Sequence, residues 1–334
     1  MRGARGAMEA ALEEAQAEAR ELIGKRERSP WRPVPVCAAV VCPVALFVLV
    51  YYCGMAPLRH VQPNGAALLG LGLPLAVCAG ISATARSRLR LAAPARVELT
   101  LAVCLWAALV AAALGAETNF RRHMMSYYRF QDLAAYVNVD PSADKGQTYM
   151  DAGQVYFKED SRVATEQTIT YRADALYCAA PIVSQSLVNQ DGVDQEERDG
   201  PFNLPKSLTV DFWVIGQDCC DQGTRTFTCG AAQDPRARAG IRLLRDEVRP
   251  FYKLAVEQWT ARLCPVDRAQ AGPPICPEAR HPLFFHWVRD PLLEVDTLRD
   301  MAMQTFSSHL VMFVCFDVLL ALGLFWLLFK VGMK

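Results

Sequence analysis

The chain of 334 residues has no surplus of charge: 35 Lys and Arg stand against 35 Asp and Glu, with five His. No basic stripe lies outside the flanks of its apolar runs, which excludes nucleic acid as an electrostatic partner. The sequence also lacks H-E-x-x-H, G-x-S-x-G and any phosphate-cradling glycine loop, so no reaction class is signalled by motif. Between residues 117 and 308 there is no N-x-S/T acceptor, and nothing there indicates N-glycosylation. C-x₂-C is missing as well, which deprives a zinc reading of its usual ligand pair.

What is present is concentrated apolar sequence. The 52% hydrophobic content is an average over two kinds of chain. Residues 36–55, 66–85, 97–115 and 310–329 form four long uncharged or nearly uncharged runs, each able to cross a hydrocarbon core of about 30 Å. Residues 117–308 read instead as a polar domain.

Orientation follows from Lys and Arg beside the spans. Arg2, Arg5, Arg20, Lys25, Arg26, Arg28 and Arg32 precede the first span, and Arg86, Arg88, Arg90 and Arg96 fill the link between the second and third. Lys330 and Lys334 follow the fourth. The first loop has only Arg59, and the long loop carries 21 basic against 27 acidic residues. Both termini are therefore expected in the cytosol. With 35 residues ahead of it, the first span is expected to act as its own uncleaved insertion signal, and Glu9, Glu13, Glu14, Glu18 and Glu21 argue against a transit peptide.

Small residues recur four apart at Ala76, Gly80 and Thr84 and at Ala107, Ala111 and Gly115, faces that let backbones approach within one protomer or between protomers. Pro43 and Pro74 are expected to kink or loosen their spans. Two ionisable residues touch the membrane region. Glu98 lies within a turn of the cytosolic end of span three, where it can reach water or Arg96. Asp317 lies about two turns into span four, where a carboxylate must face the bundle, a cavity or a partner.

Outside the spans, residues 7–28 combine strong helix formers with acidic residues first and basic residues last, predicting a cytosolic helix. The spacing of Met125, Tyr128, Leu133 and Tyr136 predicts that span three continues outward as a helical stalk over 118–139. Residues 148–158, 164–172 and 207–215 predict strands. Residues 189–205 read as an acidic exposed loop that does not supply an EF-hand spacing. Residues 236–263 predict one long amphipathic helix interrupted at Pro250, and 291–308 a helix running into span four. Phe284, Phe285 and Trp287 are expected in the core rather than in an interfacial aromatic belt.

Six cysteines sit in or beside the spans and six in the loop: Cys178, Cys219, Cys220, Cys229, Cys264 and Cys276. An even number on the non-cytosolic side predicts disulfides in an oxidising compartment, with 15 possible connectivities. Cys264 with Cys276 is a local candidate, and the adjacent Cys219 and Cys220 are expected to bond different partners among Cys178 and Cys229. Catalytic candidates are few. His281 and His286 are flanked by apolar residues, His123 stands apart, and Asp211, Asp218 and Asp221 suit turn capping as well as a metal.

Two resemblances rest on these residues. A short first loop, a short basic link and a large Cys-rich loop with the pair Cys219-Cys220 resemble the tetraspanin layout, although Asp221 stands where that family has Gly. The strings YMDAGQVYF (149–157), LYCAAPI (176–182), DFWVIGQDCC (211–220), FTCG (227–230) and HPLFFHWVRDP (281–291) resemble a group of four-span membrane proteins of single-celled alveolate algae. This resemblance implies a membrane-anchored ectodomain and no catalytic residues.

The expected architecture is a four-helix transmembrane bundle with a mixed α/β, disulfide-braced domain inserted between spans three and four. Its segments are a cytosolic helical part (1–35), spans one to three (36–115), an extracytosolic domain (116–309), and span four with a short tail (310–334). The expected role is interaction or scaffolding, with the bilayer and other membrane proteins or further copies as partners, and no cofactor or metal. Two alternatives remain: a subunit of a transport or channel complex using Asp317 between protomers, or a lumenal metal-binding or enzymatic domain using Asp211, Asp218, His281 or His286.

Overall fold

The computed structural model describes residues 33–90, 96–184, 210–221, 226–263 and 281–331. The expected helix at 7–28, the acidic loop at 189–205 and the candidate pair Cys264 and Cys276 lie outside the described residues. The chain divides into two compact units, Met1–Asn119 with Thr305–Lys334, and Phe120–Gln304.

In the first unit, helices α1 (Pro33–Met55), α2 (Pro57–Val61), α3 (Pro63–Ala67), α4 (Leu73–Arg90) and α5 (Arg96–Asn119) follow one another, and the last helix of the chain, Pro291–Val331, returns to it. Four helical segments are long and apolar enough to cross a membrane: Cys37–Met55, Pro63–Ser87, Val97–Gln131 and Pro291–Leu328. Between α3 and α4 the backbone widens into a π-turn, Leu68–Gly72, immediately before Pro74. A proline cannot donate to the carbonyl four residues back, and its ring clashes with it, so the loosening expected there takes this form. Pro43 stays within α1.

Close packing in this unit depends on small residues, of which Gly115 is one the spacing singled out. Ala108, Ala112 and Ala116 of α5 are buried, and a Cβ on Gly54 of α1 would lie 2.6 Å from that of Ala116. The face Ala76, Gly80 and Thr84 of α4 is exposed, with nothing within 4 Å of a Cβ built on Gly80. Of the other set, Gly115 seats the Tyr51 ring, which a Cβ would meet at 2.8 Å. Aromatics tie α1 to the last helix, with Phe47 stacked on Phe313 at 4.5 Å and Tyr51 5.0 Å from Phe306. The outer faces remain apolar: Leu49, Leu73, Val110, Leu114, Leu319 and Trp326 are each more than half exposed, which suits hydrocarbon and not water.

The second unit is built on a mixed sheet of β1 (Ala134–Val139), β2 (Ala152–Phe157), β3 (Ser161–Val163), β4 (Ile169–Arg172), β5 (Leu176–Ser184), β6 (Phe212–Gln217), β7 (Ala239–Arg242) and β8 (Leu283–Val288). The strand order is β1-β2-β7-β8-β6-β5-β3, with β4 also on β5. The β1/β2 and β6/β8 pairs are parallel and the others antiparallel. Pro181 of β5 falls where its outer neighbour changes from β4, ending at Ala179, to β3, beginning at Ile182. A residue without an N–H is tolerated at such a break.

Both faces of the sheet are covered. Cys178, Ala180, Phe212, Val214, Phe285 and Trp287 point into one core. Tyr177, Ala179, Trp213, Ile215 and Phe284 point into the other, against Tyr252, Ala255, Val256 and Trp259 of α7 (Arg249–Leu263). Phe284, Phe285 and Trp287 are thus core, as expected. The last helix, α8 (Pro291–Val331), is continuous from 291 onward, which also matches the expectation.

Two helical expectations are corrected. The helical stalk stops with α6 (Met125–Gln131), and 134–139 is strand β1, because its backbone pairs with β2. Residues 236–263 are not one helix: 239–242 form β7 between β2 and β8, and α7 begins at Arg249 with Pro250 in its first turn. Proline is favoured at that position because its missing N–H has no intrahelical partner to lose.

Candidate functional site

The chemistry of the sheet domain centres on one corner where β5 and β6 end. Register places Cys178 opposite Gly216. Beyond Gln217 the chain turns through Asp218, whose φ of 54° is unusual for a residue with a side chain. The turn is held by an exchange with Leu176: Asp218 N–H donates to its carbonyl at 2.8 Å, and the Asp218 carboxylate accepts from its N–H at 2.9 Å. The next two residues then face different partners. Cys220 bonds Cys178 across a Cα separation of 6.0 Å, and Cys219 bonds Cys229 across 5.1 Å.

This resolves the expected partition of the adjacent cysteines. Gly216 is required beside it, since a Cβ there would lie 2.3 Å from the Cys229 sulfur. The sulfurs of Cys178, Cys219 and Cys229 lie within 4.8 Å of one another. In covalent pairs they are not thiolates, so the zinc reading of this cluster has no ligands in this state.

The nominated acid and base residues are engaged in structure. Asp211 is buried and accepts from Gly146 N–H at 2.8 Å and His281 N–H at 3.4 Å, joining two loops. Asp218 holds the turn just described. His286 lies in β8 opposite Ile241. His123 falls in the π-turn Phe120–Met124. Asp211, Asp218, His281 and His286 do not form one catalytic cluster.

Burial lowers the His286 imidazole below the usual histidine range, the Arg245 guanidinium adds to this, and a backbone hydrogen bond at Ile215 opposes it. The neutral ring is therefore favoured in the folded domain. Unfolding exposes a group that titrates near about 6.5, so the unfolded state binds more protons as pH falls below that value. Stability is expected to be undiminished above about pH 7 and to be lost progressively from about 6.5 down to the folded-state value. Unfolding midpoints at pH 7.5 and 5.0 should differ less for His286→Gln than for the native chain; an unchanged difference would rule the histidine out as the cause.

In the spans, Asp317 is fully buried. Neither of its carboxylate oxygens has a hydrogen-bond partner among the described residues, and the polar group beside it is the buried Cys104 thiol of α5. Within one chain it faces its own bundle. Thr100, also buried, lies one turn before Cys104. Glu98 is half-buried in the first turn of α5, where the helix dipole favours a carboxylate.

A second polar group was not legible from the sequence. Tyr51 Oη lies 2.8 Å from His309 Nδ1, and Asn119 Nδ2 donates to Tyr51 Oη at 3.2 Å. Arg59 pairs with Glu117 nearby in sequence to Asn119. These residues come from different helices, so no local spacing reveals them.

Four helices long and apolar enough to cross a membrane, with a disulfide-bonded mixed-sheet domain between the third and the fourth, define the architecture. Comparison of the chain with protein-family models, curated proteins and solved structures finds no match.

Proposed function

We propose that the chain is a four-span protein with both termini in the cytosol, and that its disulfide-braced domain outside the cytosol serves interaction or scaffolding. The pair of disulfides in the sheet domain carries this reading, because such bonds persist on oxidising sides of membranes. The distribution of Lys and Arg supports the same threading.

Two surfaces support interaction. Strand β1 ends the sheet, and its Ala135, Val137 and Asn138 are exposed; Val137 is 73% exposed. Edge strands carry charge, proline or bulges against strand addition; AAYVNV has no charge or proline, and its register shifts at Ala134/Ala135 and Tyr136/Val139. In the membrane, the open Ala76, Gly80 and Thr84 face supports contact with another span.

The test is thiol mapping by intact mass without reductant, combined with membrane-impermeant labelling on sealed vesicles and a photo-crosslinking residue at Val137. The expected result is that Cys178, Cys219, Cys220 and Cys229 accept label only after an impermeant reductant, and that position 137 gives a discrete adduct in intact membranes. Labelling without reductant would overturn the disulfide reading, and labelling only after the vesicles are permeabilised would overturn the threading. An adduct no different from one at exposed Gln233 would overturn the interaction reading.

A further inference from the structure

Away from the disulfides, the sheet domain has a cavity of about 390 Å³ lined by three arginines, Arg129 of α6, Arg242 at the end of β7, and Arg249 at the start of α7. Only Arg249 is neutralised, by Asp246 at 3.0 Å. Among the described residues, neither Arg129 nor Arg242 has a carboxylate within ion-pair distance. Arg242 is the informative one. Its Nη1 reaches only the Tyr149 carbonyl, at 3.4 Å, and its Cζ stands 5.8 Å over the Phe285 ring.

A guanidinium held in a half-buried place without a counter-ion is costly unless something else supplies the negative charge. Burial, and after it the neighbouring Arg249, bring Arg242 down to about 10, against the opposing pull of Asp151 and Asp246. Among the lining residues three arginines face two acidic residues, Asp132 and Asp246, and Asp151 acts on Arg242 from beside them. The remaining wall, including Leu133 and Met150, is apolar.

The geometry points to a binding site for an organic phosphate, with the phosphate on Arg242 and Arg129 and the carbon skeleton on the apolar wall. Guanidinium forks match phosphate oxygens in pairs, which point charges such as lysine do not. The source is either a soluble phosphate monoester or the headgroup of a phosphatidic-acid-like lipid.

The experiment uses the full chain, in detergent with glycerol 3-phosphate and in phosphatidylcholine nanodiscs with and without phosphatidic acid, reading saturable binding and the shift in unfolding midpoint. Saturable binding of either probe is expected, weakened at least tenfold by Arg242→Gln and by Arg129→Gln, and unchanged by Arg236→Gln. Because Arg129 is exposed, its variant keeps the test decisive if Arg242→Gln fails to fold. Binding in detergent identifies a soluble ligand; binding only with phosphatidic acid identifies a lipid headgroup. No saturable binding of either probe, or equal binding by the Arg129 and Arg236 variants, would overturn the site.

Discussion

Replacing Cys178 and Cys220 together by alanine is expected to destabilise the sheet domain by about 4 kcal/mol, and replacing Cys219 and Cys229 by about 3 kcal/mol. The difference follows from the sequence separations of 42 and 10 residues, since a longer closed loop removes more entropy from the unfolded chain. Either loss is a large part of the roughly 5–15 kcal/mol that holds an ordinary domain folded. Alanine is the right replacement at Cys178, which is fully buried and would leave a serine hydroxyl without water. Denaturant unfolding of the full chain in detergent, followed by tryptophan fluorescence, measures both. The larger effect should belong to the longer loop; the reverse order would mean that packing around Gly216, rather than loop closure, dominates.

Truncating Trp213 or Trp259 to alanine is expected to cost about 3–5 kcal/mol each. The two indoles meet edge to face at 5.0 Å, both within 1% of full burial, and they are one of the contacts by which α7 sits on the sheet. Phenylalanine separates their roles. Trp213 Nε1 donates to the Val210 carbonyl at 2.9 Å, whereas Trp259 Nε1 has no partner among the described residues. Trp213→Phe therefore leaves a buried carbonyl unsatisfied, at about 1–3 kcal/mol beyond the lost area. Trp259→Phe removes an unsatisfied donor and should be the milder change. Equal losses in the two phenylalanine variants would show that ring area alone sets the stability of this layer.

Strands β2, β4 and β6 fell within segments whose β-branched and aromatic residues alternate, and these were legible. Strands β5 and β8 were not read as strands, because LYCAAPIVS and LFFHWV show no alternation. Both faces of these strands are covered, so apolar side chains dominate whichever way they point. The errors at β1 and β7 have another origin. Tyr136 and Ile241 do fall at helical spacing from their upstream neighbours, and a short segment commits to strand only when a partner backbone is beside it. The intramembrane carboxylate was legible as a position, but Cys104 as its neighbour was not.

The four spans could be placed from composition alone, because hydrocarbon acts on each run of about 20 residues separately, whatever the rest of the chain does. Cysteine pairing was different: six loop cysteines leave 15 connectivities open, and it took the pairing of β5 with β6 to bring Cys178 beside Cys220. The same holds for the arginine cavity, whose three arginines are separated by as many as 120 residues between Arg129 and Arg249. Solvent preference is a property of a segment, whereas proximity between distant side chains exists only once the sheet has closed around them.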